Sequence, residues 1–273
     1  MLKHEWLSVM KDSNSIHKYP RTQHIEGSGL QQGDEDIGVV PYRMLAGRHL
    51  VVEEKMDGAN SAVSFTPHRT LLLQSRGHYL TGGPRERHFA LFKAWAGRYS
   101  GALWDVLGDR YVMYGEWLYA RHTVFYTDLP HYFLEFDILD TRTGQFLDTP
   151  RRVALLTAAP FVHSVRVLYA GALSTYGDLV RMLGPSAFIA ADHLARLRQQ
   201  CVRHGIDPEA AVRETDPTTL MEGLYIKVEE EDRVIERYKY VRSGFLQTVV
   251  DSGSHWLDRP LIPNQVRSGV ELF

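Results

Sequence analysis

The feature that most constrains this chain is the stretch VVEEKMDGANSAVSF, residues 51–65, in which charged residues separate two apolar runs. The runs HLVVEE and NSAVSF have the composition of β-strands. Asp57 and Gly58 indicate a turn between them, because glycine tolerates positive φ and an aspartate side chain bonds its own backbone. Lys55 is therefore expected at a strand end with its stem partly buried. A lysine in such a place either finds an anion or loses its proton.

The rest of the chain predicts an α+β fold of mostly antiparallel strands flanked by helices, because the βαβ alternation of a parallel sheet is missing. Three further strands are expected in LLLQS, RYVMYGEWLY and HYFLEFDILD. The run GLYIKVEEEDRVIERYKYV predicts a hairpin that turns at residues 230–233. DTRTGQF, residues 140–146, is expected to be a turn.

Helices are predicted where apolar residues recur at spacings of three or four. The first runs from Arg85 to about Leu107, and a second begins with Thr149 as N-cap and Pro150 at its first position. Most of 173–213 and the run GFLQTVV are also expected to be helical. We divide the chain into an N-terminal arm (1–48), a catalytic domain (49–245) with a helical insertion at about 173–213, and a C-terminal tail (246–273).

Composition excludes several classes of protein. The 273 residues are 44% hydrophobic and 23% charged, as in an ordinary globular protein, and the net charge of −2 gives no global affinity for nucleic acid. The single cysteine, Cys201, fits a reducing compartment. No apolar run approaches the roughly 18 residues of a membrane span, and the N-terminus lacks the apolar stretch of a signal peptide. We expect a soluble cytoplasmic protein without membrane contact.

KMDG alone is a weak signal, since a β-turn with a solvated lysine explains it equally well. The signal strengthens because other short motifs follow in order, most with charged residues inside apolar strand patterns. A solitary charge is costly there unless it is paired. These motifs are SRG with Arg76, GEW with Glu116, FLEFDI with Phe136, EGLYIK with Glu222 and Lys227, and RYK with Arg237 and Lys239.

The series, from Glu54 to Lys239, resembles that of the covalent nucleotidyltransferases, the superfamily of ATP-dependent RNA and DNA ligases and mRNA capping enzymes. The resemblance implies a nucleotidyltransferase domain of the ATP-grasp-like ligase type. It also implies that Lys55 attacks the α-phosphorus of ATP and forms lysyl-AMP. Since an ordinary lysine has a pKa near about 10.4, we expect burial, a metal and the cations Lys227 and Lys239 to lower the pKa of Lys55.

The resemblance also assigns residues to the nucleoside. The backbone of Glu54 would lie at the adenine edge, and Phe136 would stack on the base. Glu116 would accept the ribose hydroxyl, and Arg76 would lie near the ribose and the incoming phosphate.

The resemblance assigns the phosphates and the metal to residues in the second half of the chain. Glu222 would hold a hydrated Mg²⁺ or Mn²⁺. Lys227 and Lys239, expected to be catalytic with Lys55, would hold the α-phosphate. Arg237 takes the place of a lysine that some relatives carry. Asp57, Gly58 and Asn60 complete the nucleotide-binding set.

Each role has a structural alternative. Phe136 could be an ordinary core residue, and Glu116 could be a charge that protects an edge strand. Lys227 and Lys239 could form surface ion pairs of little energetic value with nearby glutamates.

Two features favour an RNA ligase similar to the phage duplex-sealing type. Asn60 stands where DNA ligases and capping enzymes usually carry arginine. The 34 residues that follow Lys239, 240–273, are too few for the C-terminal OB-fold of those enzymes. The expected partner is RNA with 5′-phosphate and 3′-hydroxyl ends, with an end-healing kinase or phosphatase as a compatible second partner. A minimal DNA ligase, a GTP-using capping-type enzyme and a non-catalytic nucleic-acid-binding module are the alternatives.

Without an OB-fold, RNA must be held elsewhere. The segment HKYPRTQH is one candidate, against a plain N-terminal arm. The arginines of the helical insertion are another, against an ordinary solvated helix face: Arg181, Arg196, Arg198 and Arg203.

Overall fold

The computed structural model describes residues 16–30, 37–251 and 259–273. Within these ranges, twelve strands form one large, continuous sheet. The strands are β1 (Gln23–Ile25), β2 (Val39–Val40), β3 (His49–Lys55), β4 (Ala59–Phe65), β5 (Leu71–Ser75), β6 (Tyr111–Trp117), β7 (Phe133–Asp140), β8 (Gln145–Leu147), β9 (His163–Ser164), β10 (Val167–Ala172), β11 (Gly223–Glu230) and β12 (Arg233–Val241).

The sheet consists of two halves joined by one short strand. The strand order is β10-β3-β11-β12-β8-β7-β6-β4-β5, and every neighbouring pair on this path is antiparallel. β8 makes the junction through two paired positions on β12 and two on β7. We call β10-β3-β11-β12 the first half and β7-β6-β4-β5 the second half. The predicted α+β fold of mostly antiparallel strands is confirmed.

The KMDG segment carries the chain from one half to the other. β3 pairs with β10 and β11, whereas β4 pairs with β5 and β6, so β3 and β4 are not neighbours in the sheet. The predicted strands on both sides of Asp57 are confirmed. The turn between them is a crossover between the two halves, which places Lys55 at the end of a central strand.

Seven helices lie outside the sheet in the described residues. They are α1 (Ala90–Arg98), α2 (Ser100–Leu107), α3 (Thr149–Leu156), α4 (Tyr176–Val180), α5 (His193–His204), α6 (Pro208–Arg213) and α7 (Ser243–Asp251). The helix predicted from Arg85 is divided, because residues 84–89 form a 3-10 helix and Tyr99 separates α1 from α2.

The N-cap of α3 is one residue earlier than predicted. The side chain of Asp148 accepts a hydrogen bond from the Arg151 backbone N–H, which identifies it as the cap. Thr149, the predicted cap, donates its hydroxyl to Glu229 instead, at 2.6 Å. Pro150 is consequently the second residue of the helix and not, as predicted, the first.

The hairpin of β11 and β12 is confirmed and turns at Glu231 and Asp232, which have φ of 52° and 62°. Two positive φ values in a two-residue loop match the right-handed twist of the strands. The helical insertion contains α4, α5 and α6, whereas residues 181–192 are not helical. The five short strands β1, β2, β8, β9 and β10 were not predicted.

Three apolar clusters surround the sheet. The largest packs the second half against α1 and α2, around Phe92 and Trp95. A second cluster packs on one face of the first half, where Leu224 and Ile226 contact residues of the N-terminal segment and α4. The third joins α5 and α6 to Phe125 and Ile262. No helix in the described residues is long and apolar enough to cross a membrane.

Candidate active site

Lys55 lies at the centre of a cluster of charges where the KMDG crossover leaves β3. Its Nζ is 2.5 Å from Oε1 of Glu222, and its side chain remains 24% exposed, whereas that of Glu222 is 2% exposed. Glu222 directly precedes β11, and Gly223 pairs with Lys55 in the ladder. The adjacent strand ends therefore bring the two predicted residues together.

The prediction of a lowered pKa for Lys55 is wrong in this structure. Burial disfavours the ammonium, but the carboxylates of Glu222, Glu116 and Asp57 outweigh it and raise the pKa of Lys55. The carboxylate that contacts Lys55 therefore affects its pKa more than the cations Lys227 and Lys239 do.

Glu116 approaches Lys55 from the second half of the sheet. It is the direct cross-strand neighbour of Asn60, so the two side chains share a face. Burial raises the pKa of Glu116 to about 8, with Lys55 and Arg76 acting in the opposite direction. Burial likewise raises the pKa of Glu222 to about 7, against the effect of Lys55 and Lys239. We call Lys55, Asp57, Arg76, Glu116, Glu222 and Lys239 the lysine cluster.

Asp57 has a structural role that the sequence did not indicate. Its Oδ2 accepts the backbone N–H groups of Thr123 and Val124, each at 2.7 Å. Its own N–H donates to the hydroxyl of Tyr126 at 2.8 Å. The KMDG crossover is thus fastened to the loop that follows β6.

Gly58 is required by close approach. A Cβ at this position would lie 2.8 Å from the Trp117 carbonyl oxygen and 2.9 Å from Cγ of Glu116. The absence of a side chain lets the crossover reach β6 and brings Lys55 close to Glu116.

Lys227 and Arg237 lie on the same face as Lys55 but belong to a different set of charges. Nζ of Lys227 is 3.0 Å from Glu53 and 3.3 Å from Asp137, and its side chain is 1% exposed. Nε of Arg237 is 2.8 Å from the other oxygen of Asp137. Both cations are held between the halves of the sheet, and their predicted phosphate contacts stay predictions.

A buried arginine completes this second set. Arg152 of α3 bonds Glu53 at 2.7 Å and Glu135 at 3.2 Å, with all three side chains at most 2% exposed. We call this set the ionic cluster. Its members are Glu53, Glu135, Asp137, Arg152, Lys227 and Arg237.

A β-bulge connects the ionic cluster to Phe136. Phe136 is the extra residue of β7 opposite the step from Tyr114 to Gly115. Its carbonyl accepts hydrogen bonds from Lys227 and Arg152. The bulge thus frees a carbonyl from the ladder and two buried cations bind it.

The ring of Phe136 is 9% exposed and contacts two tyrosines. The ring centroid of Tyr19 lies 5.2 Å away and that of Tyr225 lies 6.0 Å away. Tyr19 also donates its hydroxyl to Asp137 at 2.5 Å. The segment HKYPRTQH therefore covers this end of the site through Tyr19, and stacking of adenine on Phe136 stays a prediction.

The backbone and the side chain of Glu54 have different surroundings. Its backbone N–H donates to the carbonyl of Arg166, the residue before β10, at 3.0 Å. Its side chain points to the opposite face from Lys55, where burial raises its pKa. The adenine contact expected for its backbone stays a prediction.

A family model described as RNA ligase matches residues 48–241 of this chain. The match covers the whole series of motifs and more than half of the chain. The chain belongs to the RNA ligase family. The resemblance to covalent nucleotidyltransferases stated from the motifs is confirmed by this match. No curated protein matches the chain.

Solved structures with the same fold are also RNA ligases. A lysine-to-alanine mutant of Naegleria gruberi RNA ligase with ATP and Mn aligns with a TM-score of 0.51 and 17% identity, over 77% of this chain and 53% of that chain. Another lysine-to-alanine mutant of that ligase, in its apo form, aligns with a TM-score of 0.50 and 18% identity, over 77% of this chain and 54% of that chain. The alignment spans about half the length of those ligase chains, and it supports the fold.

The residues present suit the divalent cation expected of an RNA ligase family member. Oε2 of Glu222 is buried and has no hydrogen-bond partner in the described part of the chain. No group of three or more His, Cys, Asp or Glu side chains in those residues could hold a metal. A single orphan carboxylate oxygen matches Mg²⁺, which keeps several waters and takes further oxygens from substrate phosphates.

Sequence reasoning missed four members of the ionic cluster, Arg152 and three acids, and it also missed Asn264. Arg152 was assigned only to a helix, and nothing local distinguishes it from its neighbour Arg151. Asn264 lies in the tail, where its Oδ1 accepts the Tyr126 N–H at 3.0 Å and its Nδ2 donates to the Leu118 carbonyl at 2.8 Å. Since Tyr126 binds Asp57, Asn264 supports the KMDG crossover indirectly. Only the folded chain shows these contacts.

Proposed function

We propose that this protein is an ATP-dependent RNA ligase that works through lysyl-AMP and seals a 5′-phosphate RNA end to a 3′-hydroxyl. The observation that carries the proposal is the position of Lys55. Its side chain is 24% exposed, and its Nζ lies 2.5 Å from Glu222 at the crossover of the two halves, close enough for the charge of Glu116 to affect its pKa. Lys227, by contrast, has a side chain that is 1% exposed and is held directly by Glu53 and Asp137.

In the first step, the Lys55 amine loses a proton and attacks the α-phosphorus of ATP. A P–N bond forms, the bond from the α-phosphorus to the bridging oxygen breaks, and pyrophosphate leaves with that oxygen. A divalent cation at Glu222 would neutralise the carboxylate that raises the pKa of Lys55 and would offset charge on the phosphates. Burial of the Lys55 stem then favours the neutral amine.

In the second step, an oxygen of the RNA 5′-phosphate attacks the same phosphorus and the P–N bond breaks. This returns the Lys55 amine and leaves AMP joined to the RNA end. In the third step, the 3′-hydroxyl attacks the 5′-phosphate, AMP leaves, and a phosphodiester bond forms. Each step needs positioning and charge neutralisation more than further covalent chemistry from the protein.

The remaining motif residues are proposed to bind the nucleotide. Lys239 lies near Glu222 and is suited to the α-phosphate. Glu116 and Asn60 share a face of the second half, where Glu116 can accept a ribose hydroxyl. Arg76, which is exposed and lies close enough to Glu116 to affect its pKa, is suited to the incoming phosphate.

The test is self-labelling with ATP radiolabelled at the α-phosphate in the presence of Mg²⁺. We expect covalent label on the wild type and none on Lys55→Ala. Lys93→Ala is the matched control, because Nζ of Lys93 also lies 2.5 Å from a glutamate, Glu86, and its side chain is 31% exposed. Label on Lys55→Ala would refute Lys55 as the nucleophile, and loss of label on Lys93→Ala would show that the assay reports folding.

Three further arms separate the alternatives. Labelling by GTP instead of ATP would indicate a capping-type enzyme. Sealing of DNA but not RNA 3′-hydroxyl strands would indicate a DNA ligase. Absence of any label, with the protein folded, would leave a nucleic-acid-binding module. We expect ATP labelling and sealing of RNA.

A further inference from the structure

The N-terminal segment crosses from the second half of the sheet to the first. The carbonyl of His17 accepts hydrogen bonds from Nε2 of Gln74 on β5 and from the hydroxyl of Tyr114 on β6, each at 2.8 Å. Further along, β1 pairs in parallel with β12, where His24 lies opposite Lys239. The same short stretch is therefore fixed to both halves, and it ends beside a residue of the lysine cluster.

Within this stretch, which we call the N-terminal brace (residues 17–24), Tyr19 contacts both halves at once. Its hydroxyl donates to Asp137 of β7 at 2.5 Å and is hydrogen-bonded to the hydroxyl of Tyr225 of β11. The hydroxyl of Thr22 lies 3.3 Å from that of Tyr225. Since Tyr19 is only 6% exposed, water competes little for these bonds.

The hydroxyl groups form a chain with one direction. Burial and then the charge of Asp137 raise the pKa of Tyr19, and burial likewise raises the pKa of Tyr225, so both phenols keep their protons at neutral pH. A phenol has one proton to donate. Because Tyr19 gives its proton to Asp137, Tyr225 donates to Tyr19 and Thr22 donates to Tyr225. The chain ends on a carboxylate that two buried cations also contact.

Two neighbours of this chain are residues proposed to bind the nucleotide. Tyr225 is the direct cross-strand neighbour of Lys239, so their side chains lie on one face. The ring of Tyr19 packs edge-on against Phe136, with centroids 5.2 Å apart and an interplanar angle of 82°. Tyr19 thus contacts the residue proposed for the base directly, and it reaches the residue proposed for the α-phosphate through Tyr225.

The distance between the two halves matters for a nucleotide, because its proposed contacts come from both. Lys55 and Lys239 belong to the first half, and Glu116 and Phe136 belong to the second. Along the sheet, the halves are joined through β8, with two paired positions on each side. A misplacement of about 1 Å between binding groups is enough to weaken binding or reaction markedly. A further link near the nucleotide would fix that distance.

We propose that Tyr19 is a positioning residue for the AMP moiety of ATP. By joining Asp137 to Tyr225, it sets the distance between the base end and the phosphate end of the site. The proposal rests on the proposed function. It gives a role in nucleotide binding to a residue outside 48–241, the part of the chain that the family model matches. Because Tyr19 acts through other residues, its effect falls on ATP affinity and not on the attack by Lys55.

The test is the rate of self-labelling by ATP radiolabelled at the α-phosphate, measured over a range of ATP concentrations. Tyr19→Phe keeps the ring and removes the hydroxyl. We expect the ATP concentration at half-maximal rate to rise about tenfold, as for loss of a hydrogen bond to a charged group. The maximal rate should stay within about twofold of the wild type, since Lys55 and Glu222 are unchanged.

Tyr42→Phe is the matched control. Tyr42 is 4% exposed, and its hydroxyl donates to the Leu173 carbonyl at 2.9 Å, in the apolar cluster around Leu224 and Ile226. This variant also loses one buried hydrogen bond, so the thermal midpoints of the two variants can be compared. It should label like the wild type at every ATP concentration.

A double-mutant cycle tests the chain of hydroxyl groups. Tyr225→Phe removes the donor to Tyr19, and the double variant Tyr19→Phe/Tyr225→Phe removes both hydroxyls. Because Tyr225 acts through Tyr19, the double variant should need about as much ATP as Tyr19→Phe alone. Effects of the two substitutions that multiply would show that the hydroxyls act independently, and would overturn the chain.

A binding measurement separates this proposal from the proposed function. Calorimetric titration of ATP and Mg²⁺ into Lys55→Ala involves no labelling, and adding Tyr19→Phe to it should weaken ATP binding about tenfold as well. Absence of label on the wild type would refute the lysyl-AMP proposal without affecting this titration.

Three results would overturn the role of Tyr19. Equal ATP dependence of Tyr19→Phe and Tyr42→Phe would remove it. Tighter ATP binding by Tyr19→Phe would mean that the brace obstructs the base. A lower maximal rate at unchanged ATP affinity would assign Tyr19 to the reaction of Lys55 and not to nucleotide binding.

Discussion

The lysine cluster and the ionic cluster are built from the same residue types on the same face of the first half of the sheet, yet they differ in how their charges are paired. In the ionic cluster, Glu53 and Asp137 each contact two cations directly and are fully buried. In the lysine cluster, Glu116 makes no ion pair with any residue that the structure describes. Glu222 uses one oxygen for Lys55, and its other oxygen has no hydrogen-bond partner among the described residues.

The pKa shifts express this difference. Despite burial, the charges of Arg237, Lys227 and Arg152 lower the pKa of Asp137 to about 2, so it is ionised at every physiological pH. Burial raises the pKa of Glu116 to about 8, because Lys55 and Arg76 do not compensate for it. Carboxylates in direct contact with two cations therefore mark the part that holds the halves together, and a buried carboxylate whose burial is not compensated marks the part that can accept a ligand.

The strongest way to break this comparison is to remove a cation from the ionic cluster. Arg152→Met leaves the carboxylates of Glu53 and Glu135 with less buried compensation. We expect the free energy of unfolding to fall by about 3–5 kcal/mol. Denaturant unfolding measures it.

Arg151→Met is the matched control, because the neighbouring Arg151 is exposed and donates only to the Asp232 carbonyl in the described contacts. It should unfold close to the wild-type denaturant concentration. Equal stability of Arg152→Met and Arg151→Met would mean that the ionic cluster does not hold the two halves together.

The free energy of unfolding at acid pH tests the role of the ion-paired carboxylate of Asp137. The pKa of Asp137 is about 2 when folded and near its ordinary 3.8 when unfolded. The stabilisation is therefore present above pH 3.8 and is lost as the pH falls from 3.8 towards 2. We expect a loss of about 2 kcal/mol over this range, seen as a slope in the free energy of unfolding. Asp137→Asn should be less stable at neutral pH and should have a shallower acid slope; an unchanged slope would contradict the assignment.

Glu116 should show the opposite sign. Its folded pKa of about 8 lies above the ordinary 4.5, so the folded state keeps a proton that the unfolded state loses. Stability should therefore decrease as the pH rises from 4.5 to about 8. Glu116→Gln removes this penalty, so we expect its free energy of unfolding at pH 8 to exceed that of the wild type by about 1–2 kcal/mol. The gain is limited to this size because the site is partly open to water. Denaturant unfolding measures it. The same variant should lose ATP labelling, as expected when a binding residue is kept at the expense of stability.

If Glu116→Gln is more stable than the wild type by the same amount at pH 4.5 as at pH 8, ionisation of Glu116 is not the cause of the gain. Glu86→Gln is a poor comparison here, because Lys93 lowers the pKa of that glutamate and the sign reverses.

What the sequence could predict follows from how local each signal is. Lys55, Asp57 and Gly58 form one contiguous motif, and the alternation in β11 and β12 places Lys227, Arg237 and Lys239 on one face without tertiary information. The division of these cations was not predictable. Lys227 and Arg237 are directed to Asp137 by a bulge at Phe136, and Arg152 joins them from a helix far along the chain.

The contact by which the C-terminal tail supports the site could not be predicted from the sequence either. Asn264 contacts Tyr126, 138 positions away, and neither stands in a recognisable motif. Long-range contacts of this kind depend on the packing of the whole chain.

A solvent-accessible ion pair on the helical insertion gives the smallest expected effect and sharpens the comparison at its other limit. Nε of Arg196 lies 2.9 Å from Asp192, four residues earlier, with side chains 36% and 59% exposed. Pairs of this kind contribute about 0.5 kcal/mol or less, since water and salt screen them. We expect Arg196→Ala to change the unfolding midpoint very little and to bind RNA like the wild type. A marked fall in RNA affinity would instead mean that the helical insertion contacts the RNA strand.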